Sequence, residues 1–170
     1  MDKINLISRV WKSFLHSIGE SVETTDKTFT SWHFDVTERS ANWLLDLVIA
    51  GKKKATASLP WMFEYDNEPL PKVGDYSIIT NWDGIPKAII RTKSIEIMPF
   101  KEVTEIFAAK EGEGDLSLEF WRKAHKEYFT YECLRIGKQF TEDIPVLCEE
   151  FDLVFVADEI TIDNSSDALV

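Results

Sequence analysis

The stretch Gly51-Lys52-Lys53-Lys54-Ala55-Thr56-Ala57-Ser58 is the most informative in the chain: three consecutive lysines lead straight into two hydroxyls spaced by small residues. Upstream, Ala41, Leu44, Leu45 and Val48 recur at helical spacing, so a helix is expected over about 36–50, with Gly51 as its stop. Lysines at such a helix end also pair favourably with the helix dipole and the last carbonyls. If 52–58 is extended, side chains alternate, and Lys52, Lys54, Thr56 and Ser58 share one face with Lys53 on the other. If the chain is still turning at 53–55, Lys53 and Thr56 converge instead. A lysine beside a hydroxyl binds phosphate as a point charge. A desolvated lysine is a base toward that hydroxyl.

Outward from this segment the chain reads as alternating helices and strands. A basic amphipathic helix is expected over 4–18, with Ile4, Ile7, Trp11, Phe14, Leu15 and Ile18 on its apolar face, followed by a polar linker from Glu20 to Thr30. Such a helix packs on the domain or lies on a membrane surface. Glu64–Asp75, with Pro69, Pro71 and Gly74, reads as a loop. Tyr76–Thr80 and Ala88–Ile97 read as strands joined through Asp83-Gly84. A short helix over 101–110 is expected to turn Val103, Ile106 and Phe107 inward. The acidic turn Glu111–Asp115 follows. Ser117 caps a helix over about 117–136 with Phe120, Trp121, Ala124, Tyr128 and Leu134 among its buried positions; Val146–Val156 supplies strand. This order predicts an α+β fold around a small, mostly antiparallel sheet or barrel.

Composition sets outer bounds. The 170 residues carry 30 acids and 19 bases, a net charge of −11. Residues 141–170 hold nine of the acids and no Lys or Arg, so residues 1–140 are nearly neutral at −2. An acidic total argues against long duplex DNA as a partner, because coating DNA needs a positive surface. A small anionic ligand or a short unpaired strand remains compatible. The N-terminus lacks a signal-peptide pattern, and no apolar run is long enough to cross a membrane, so no membrane partner and a cytoplasmic location are expected. Cys133 and Cys148 are read as reduced thiols. Neither His nor Cys spacing matches a metal site, and neither a metal nor a cofactor is expected.

Taken together and in order, the helix-then-GKKKATAS segment, PLPKVGDYSII (Pro69–Ile79), EIMPFKEV (Glu96–Val103), EGEGDLSLEFWRKAH (Glu111–His125) and EDIPVLCEEFDLVF (Glu142–Phe155) resemble the ASCH domain family. The similarity covers about residues 34–156. It implies a PUA-like fold, a small β-barrel with surrounding helices, as an α+β domain over 31–157. Residues 1–30 would precede it as helix and linker, and 158–170 would follow as an acidic tail. The resemblance also implies a cleft that binds RNA, a nucleotide or a modified nucleoside. One branch of the family is an amidohydrolase on N4-acylated cytidine, and another member has been described as a ribonuclease. The amidohydrolase branch uses a lysine and a threonine in a K-x-x-T pattern with a glutamate, which maps to Lys53, Thr56 and Glu113, with Glu111 as the rival. Lys54 stands where the family usually has threonine.

Around these three catalytic candidates, Lys54, Ser58, Trp61, Glu111, Asp115 and Arg122 are candidate ligand contacts. Aromatics near cations, including Phe63, Tyr65 and Trp82, suit base stacking, though most aromatics in such a chain are core. Arg122 either clamps a phosphate or pairs with Glu119 or Glu127. His125 is one of three histidines and is a candidate acid/base. Three readings follow: a nucleotide- or RNA-binding module, a small hydrolase, and a protein-interaction module built on the N-terminal helix.

Overall fold

The computed structural model describes residues 3–158. The acidic tail expected at 158–170 therefore lies, from residue 159 onward, outside the described residues. The elements are α1 (Lys3–Ser17), β1 (Phe29–Trp32), α2 (Glu38–Ile49), β2 (Ala55–Ser58), α3 (Pro60–Tyr65), β3 (Tyr76–Thr80), β4 (Pro86–Pro99), α4 (Glu105–Glu111), α5 (Leu118–Arg135) and β5 (Pro145–Val156). A 3-10 turn, Phe100–Glu102, precedes α4.

The strands form one sheet in the order β1-β3-β4-β5-β2. β1 pairs with β3 in parallel, whereas β3 with β4 and β2 with β5 are antiparallel. The α+β class is the expected one. The sheet stays open rather than closing as a barrel, with the four-residue strands β1 and β2 at its edges.

By compactness the chain divides into two units, one of residues 3–49, 75–91 and 153–158 and the other of 50–74 and 92–152. In the first, α1 buries Leu6, Val10, Trp11, Phe14 and Leu15. Its stripe differs from the expected one: Ile4 and Ile18 are exposed, and Leu6 and Val10 take their places. Trp11 decides the angle, because its ring packs on Phe29 at 4.8 Å and beside Phe14 at 5.3 Å, and Val10 and Phe14 flank it on the helix surface. α2 buries the four predicted positions, Ala41, Leu44, Leu45 and Val48. The β3–β4 hairpin turns through Asn81–Ile85. Asn81 Oδ1 accepts from the Ile85 amide at 2.8 Å, and Gly84 takes the left-handed φ of +78° that the turn requires.

The second unit is built on a core of Ala55, Ala57, Leu59, Phe100, Val103, Phe107, Trp121, Phe129 and Cys133, among others. Its helices carry their caps in the sequence. Thr104 accepts from the Phe107 amide to start α4, and Ser117 accepts from the Phe120 amide to start α5. α4 begins four residues later than predicted, because Pro99 and the 3-10 turn occupy the preceding positions. That start turns Phe107, Ala108 and Glu111 inward and leaves Ile106, expected to be buried, 71% exposed. α5 buries Trp121, His125, Phe129, Glu132 and Cys133, four residues apart along most of one stripe. Phe120 and Leu134, expected inside, fall off that stripe and are exposed, and Ala124 and Tyr128 are half-buried.

Candidate functional site

The geometry of the Lys53 cluster lies within the second unit. From Lys52 to Ser58 the chain alternates: Lys52 and Lys54 are exposed, Lys53, Ala55 and Ala57 are buried, and Thr56 and Ser58 are half-buried. The extended alternative is thus the one adopted. The segment is held at both Lys54 backbone groups, since its amide donates to the Lys110 carbonyl and its carbonyl accepts from Phe151. Lys53 is carried inward.

The turn after α4 brings two carboxylates to Lys53. Its Nζ donates to Glu111 Oε2 at 2.8 Å and to Glu113 Oε1 at 2.6 Å. Gly112, at φ +73°, is the hinge: a Cβ there would lie 2.3 Å from the Lys52 carbonyl oxygen and 2.9 Å from the Lys53 amide nitrogen. Only a residue without a side chain lets the turn lie flat on the Lys52–Lys53 peptide. Gly114, at φ +56°, serves likewise for Phe120, whose ring would meet a Cβ at 2.5 Å. Leu116 completes the turn at φ +68° without being glycine, a strained conformation for a branched side chain.

Glu111 is sealed off, its side chain 1% exposed. Besides Lys53 it meets the indole Nε1 of Trp121, which donates at 2.7 Å, and His125 Nε2 at 3.3 Å. His125 stacks on Trp121 with ring centroids 4.1 Å apart. Glu113 differs, its side chain 15% exposed. Burial by itself works against the Lys53 ammonium, but the charges and hydrogen bonds of Glu111 and Glu113 outweigh it and raise its pKa above that of an ordinary lysine. Burial likewise opposes ionisation of Glu111, yet Lys53 and His125 hold that carboxyl well below the usual range. For Glu113, burial and the neighbouring Glu111 charge prevail over Lys53, so its pKa is raised. Of the two carboxyls, Glu113 is the one that more readily takes a proton.

Lys53, Glu111 and Glu113 therefore converge. Thr56 lies on the other face of its strand, across from Glu149 on β5. Glu149 is buried and accepts from Thr92 Oγ1 at 2.6 Å. Ser58 lies across from Leu147. Lys54 is exposed beside the cluster in sequence. Asp115 is turned to a structural task, its Oδ1 accepting from the Ser117 amide at 2.9 Å and from its hydroxyl. Trp61 has Lys138 Nζ 4.4 Å above its ring. Arg122 pairs with neither Glu119 nor Glu127; its guanidinium donates to the Lys101 carbonyl at 2.7 Å. Trp82 belongs to the first unit, where it stacks on His33 at 5.0 Å.

Two neighbours of the cluster were given no part in it by the sequence reading. Trp121 was read only as core, although its spacing of four from His125 places both rings on one helix face. Phe120 was read as buried, yet it lies 38% exposed against Gly114, one residue from Glu113.

The model for the ASCH domain matches residues 30–155. The chain belongs to the ASCH domain family. This ASCH chain is also similar to two solved structures. One is an ASCH domain from Lactobacillus crispatus JV V101, 36% identical, covering 88% of this chain and 94% of that one with a TM-score of 0.81. The other is a protein from Enterococcus faecalis V583, 30% identical, covering 98% and 99% with a TM-score of 0.81. A search of curated proteins gives no match. Among the described residues of this ASCH domain, no helix is long and apolar enough to cross a membrane, and no cluster of His, Cys, Asp or Glu has the geometry to hold a metal ion.

Proposed function

We propose that this ASCH domain binds single-stranded RNA, a nucleotide or a modified nucleoside at the Lys53–Glu111–Glu113 cluster, within a cytoplasmic setting. One observation carries the reading: Lys53 is gripped by two carboxylates, of which only Glu113 reaches solvent. The lysine charge is already spent on protein partners, so a phosphate is not what this point attracts. Glu113 instead presents a fixed acceptor, the partner that an exocyclic amine of a nucleobase takes. Phe120, exposed beside Gly114, offers a ring on which such a base stacks. Lys52 and Lys54, both exposed, serve a sugar–phosphate backbone.

The test is titration of a short fluorescent single-stranded oligoribonucleotide and of free ribonucleosides. Phe120→Ala should weaken binding about 5- to 150-fold, the value of one base stacked on an aromatic ring. Glu113→Gln should weaken amine-bearing bases more than uridine. Equal binding by both variants and wild type removes the reading.

The amidohydrolase reading draws on the K-x-x-T spacing of Lys53 and Thr56 and on the readiness of Glu113 to hold a proton. It asks Lys53 to act as a base while two carboxylates keep it an ammonium, and asks Thr56 to attack from the opposite face of the strand. Both points favour binding over turnover. Hydrolysis of N4-acetylcytidine by the wild type, abolished in Lys53→Ala, would reverse that order, and cleavage of the RNA probe would speak for a ribonuclease. The protein-interaction reading was built on the amphipathic N-terminal helix, whose buried residues Val10, Trp11, Phe14 and Leu15 share one core with Phe29, Tyr76, Ile78 and Ile89.

A further inference from the structure

A cavity of about 390 Å³ opens within the first unit, between α2, the β3–β4 hairpin and the residue that follows β5. One side of it is a second stripe of α2. Asn42, Leu45, Asp46 and Ile49 stand at positions i, i+3, i+4 and i+7, so they share a helix face beside the buried Ala41, Leu44 and Val48. Asn81, just after β3, and Lys87, on β4, line it from the hairpin, and Ala157 lines it after β5.

These walls are tied to one another. Asn42 Oδ1 accepts from the Trp82 amide at 3.0 Å and joins α2 to the hairpin. Asn81 Oδ1 accepts from the Ile85 amide and closes the hairpin. The Ala157 amide donates to the Lys87 carbonyl at 2.9 Å. A preformed concavity of this size, part apolar and with a few fixed polar groups, is the usual form of a small-molecule site.

The polar groups there are left with capacity to spare. Both asparagine Oδ1 atoms are engaged, so what each side chain has left to offer is its Nδ2 donor. Among the described residues, the Asp46 carboxylate and the Lys87 ammonium make no ion pair or hydrogen bond, with each other or with any other group. One cavity thus holds an unspent anion, an unspent cation and two neutral donors beside the apolar Leu45, Ile49 and Ala157.

We propose that this cavity binds a small zwitterion, a free α-amino acid with an aliphatic side chain. Asp46 takes the ammonium, Lys87 and the two asparagine amides take the carboxylate, and the side chain lies on Leu45, Ile49 and Ala157. A zwitterion bridges two opposite charges that do not reach each other. A simple anion would suit Lys87 and be repelled by Asp46, and a simple cation the reverse. The site stands apart from the Lys53 cluster in its residues and does not depend on the function proposed for that cluster.

The test is 15N–1H correlation spectroscopy of the full chain, titrated with leucine, N-acetyl-leucine and leucine methyl ester at millimolar concentration. Leucine should move the amides of Asn42, Asp46, Asn81, Lys87 and Ala157. Each derivative, lacking one charge, should bind about 10- to 100-fold more weakly, the value of a hydrogen bond to a charged group. Asp46→Asn should weaken leucine and leave N-acetyl-leucine as it was, because that derivative has no ammonium to lose. Lys87→Met should weaken leucine and leave the methyl ester as it was. The derivatives test the wild type, so the result does not hang on how the variants fold. No shift at these amides, shifts confined to other residues, or equal binding of the three compounds overturns the proposal.

Discussion

Lys53 Nζ and Glu111 Oε2 meet at 2.8 Å with both side chains 1% exposed, the most deeply buried ion pair among the described residues. Water contributes nothing to either charge there, so each depends on the partners the protein supplies. Lys53→Met leaves Glu111 and Glu113 facing each other without the shared cation. The expected loss is about 3–5 kcal/mol in urea unfolding. Glu113→Gln, which leaves the Lys53–Glu111 pair intact and touches a partly exposed side chain, should lose less. Equal losses would mean that Glu113 is as integral to the core as Lys53.

Gly114 and Phe120 are coupled through space. Gly114→Ala brings a Cβ to 2.5 Å from the Phe120 ring, and it also strains a backbone at φ +56°. Removing the ring relieves the first cost and not the second. Gly114→Ala should therefore destabilise the wild type more than the Phe120→Ala background, with a coupling of about 0.5–3 kcal/mol. Thermal unfolding of the two single variants and the double variant measures it. Strict additivity would show that the ring moves aside freely. At Gly112 the obstacle is the Lys52 carbonyl at 2.3 Å, which is backbone, so no second substitution should rescue Gly112→Ala.

Much of this was written in local sequence. The stripe of α2, the strand β3, the Asp83-Gly84 turn and the cap Ser117 follow from periodicity and turn chemistry, which need no tertiary information. β1 was not legible: its first half, Phe29-Thr30, ends the polar run read as linker, no strand was expected at Ser31-Trp32, and the strand is defined by parallel pairing with β3. α3 was missed because six residues, opened by a proline, are too few for a period to register. At the site, the Lys–Glu partnership was legible from the family pattern, whereas the choice between Glu111 and Glu113 was not. The structure uses both, because a turn with glycine at 112 and 114 points two nearby carboxylates at one nitrogen. The signal that Glu111 is the buried one was present in its spacing of four from Phe107, on the apolar face of α4.

Cys133 and Cys148 are both buried and free. Burial, followed by the Glu111 and Glu96 charges, pushes the Cys148 thiol up to about 12, and burial also raises Cys133. The thiolate is the nucleophile, so neither should react while the chain is folded. Intact-mass analysis with an alkylating reagent at mildly alkaline pH should show no adduct in buffer and two in denaturant. Rapid single labelling of the native protein at Cys148 would mean that β5 opens locally.

The cluster should mark the pH dependence of folding at both ends. Glu111 has its folded pKa depressed below the ordinary 4.5. Its contribution is therefore present above about that pH and is lost as pH falls through the folded value. Lys53 has its folded pKa raised above 10.5, so its contribution is present below that value and is lost as pH rises through the folded one. Glu113 works against Glu111 on the acid side. Its folded pKa is raised, so protonating it between the ordinary and the raised value favours the folded state. In urea midpoints measured against pH, Glu111→Gln should flatten the acid limb and lower stability near neutrality. Glu113→Gln should remove the opposing rise and make the acid limb begin at higher pH. An acid limb unchanged in Glu111→Gln would place the titrating carboxylates elsewhere in the chain and detach the acid sensitivity of this domain from the Lys53 cluster.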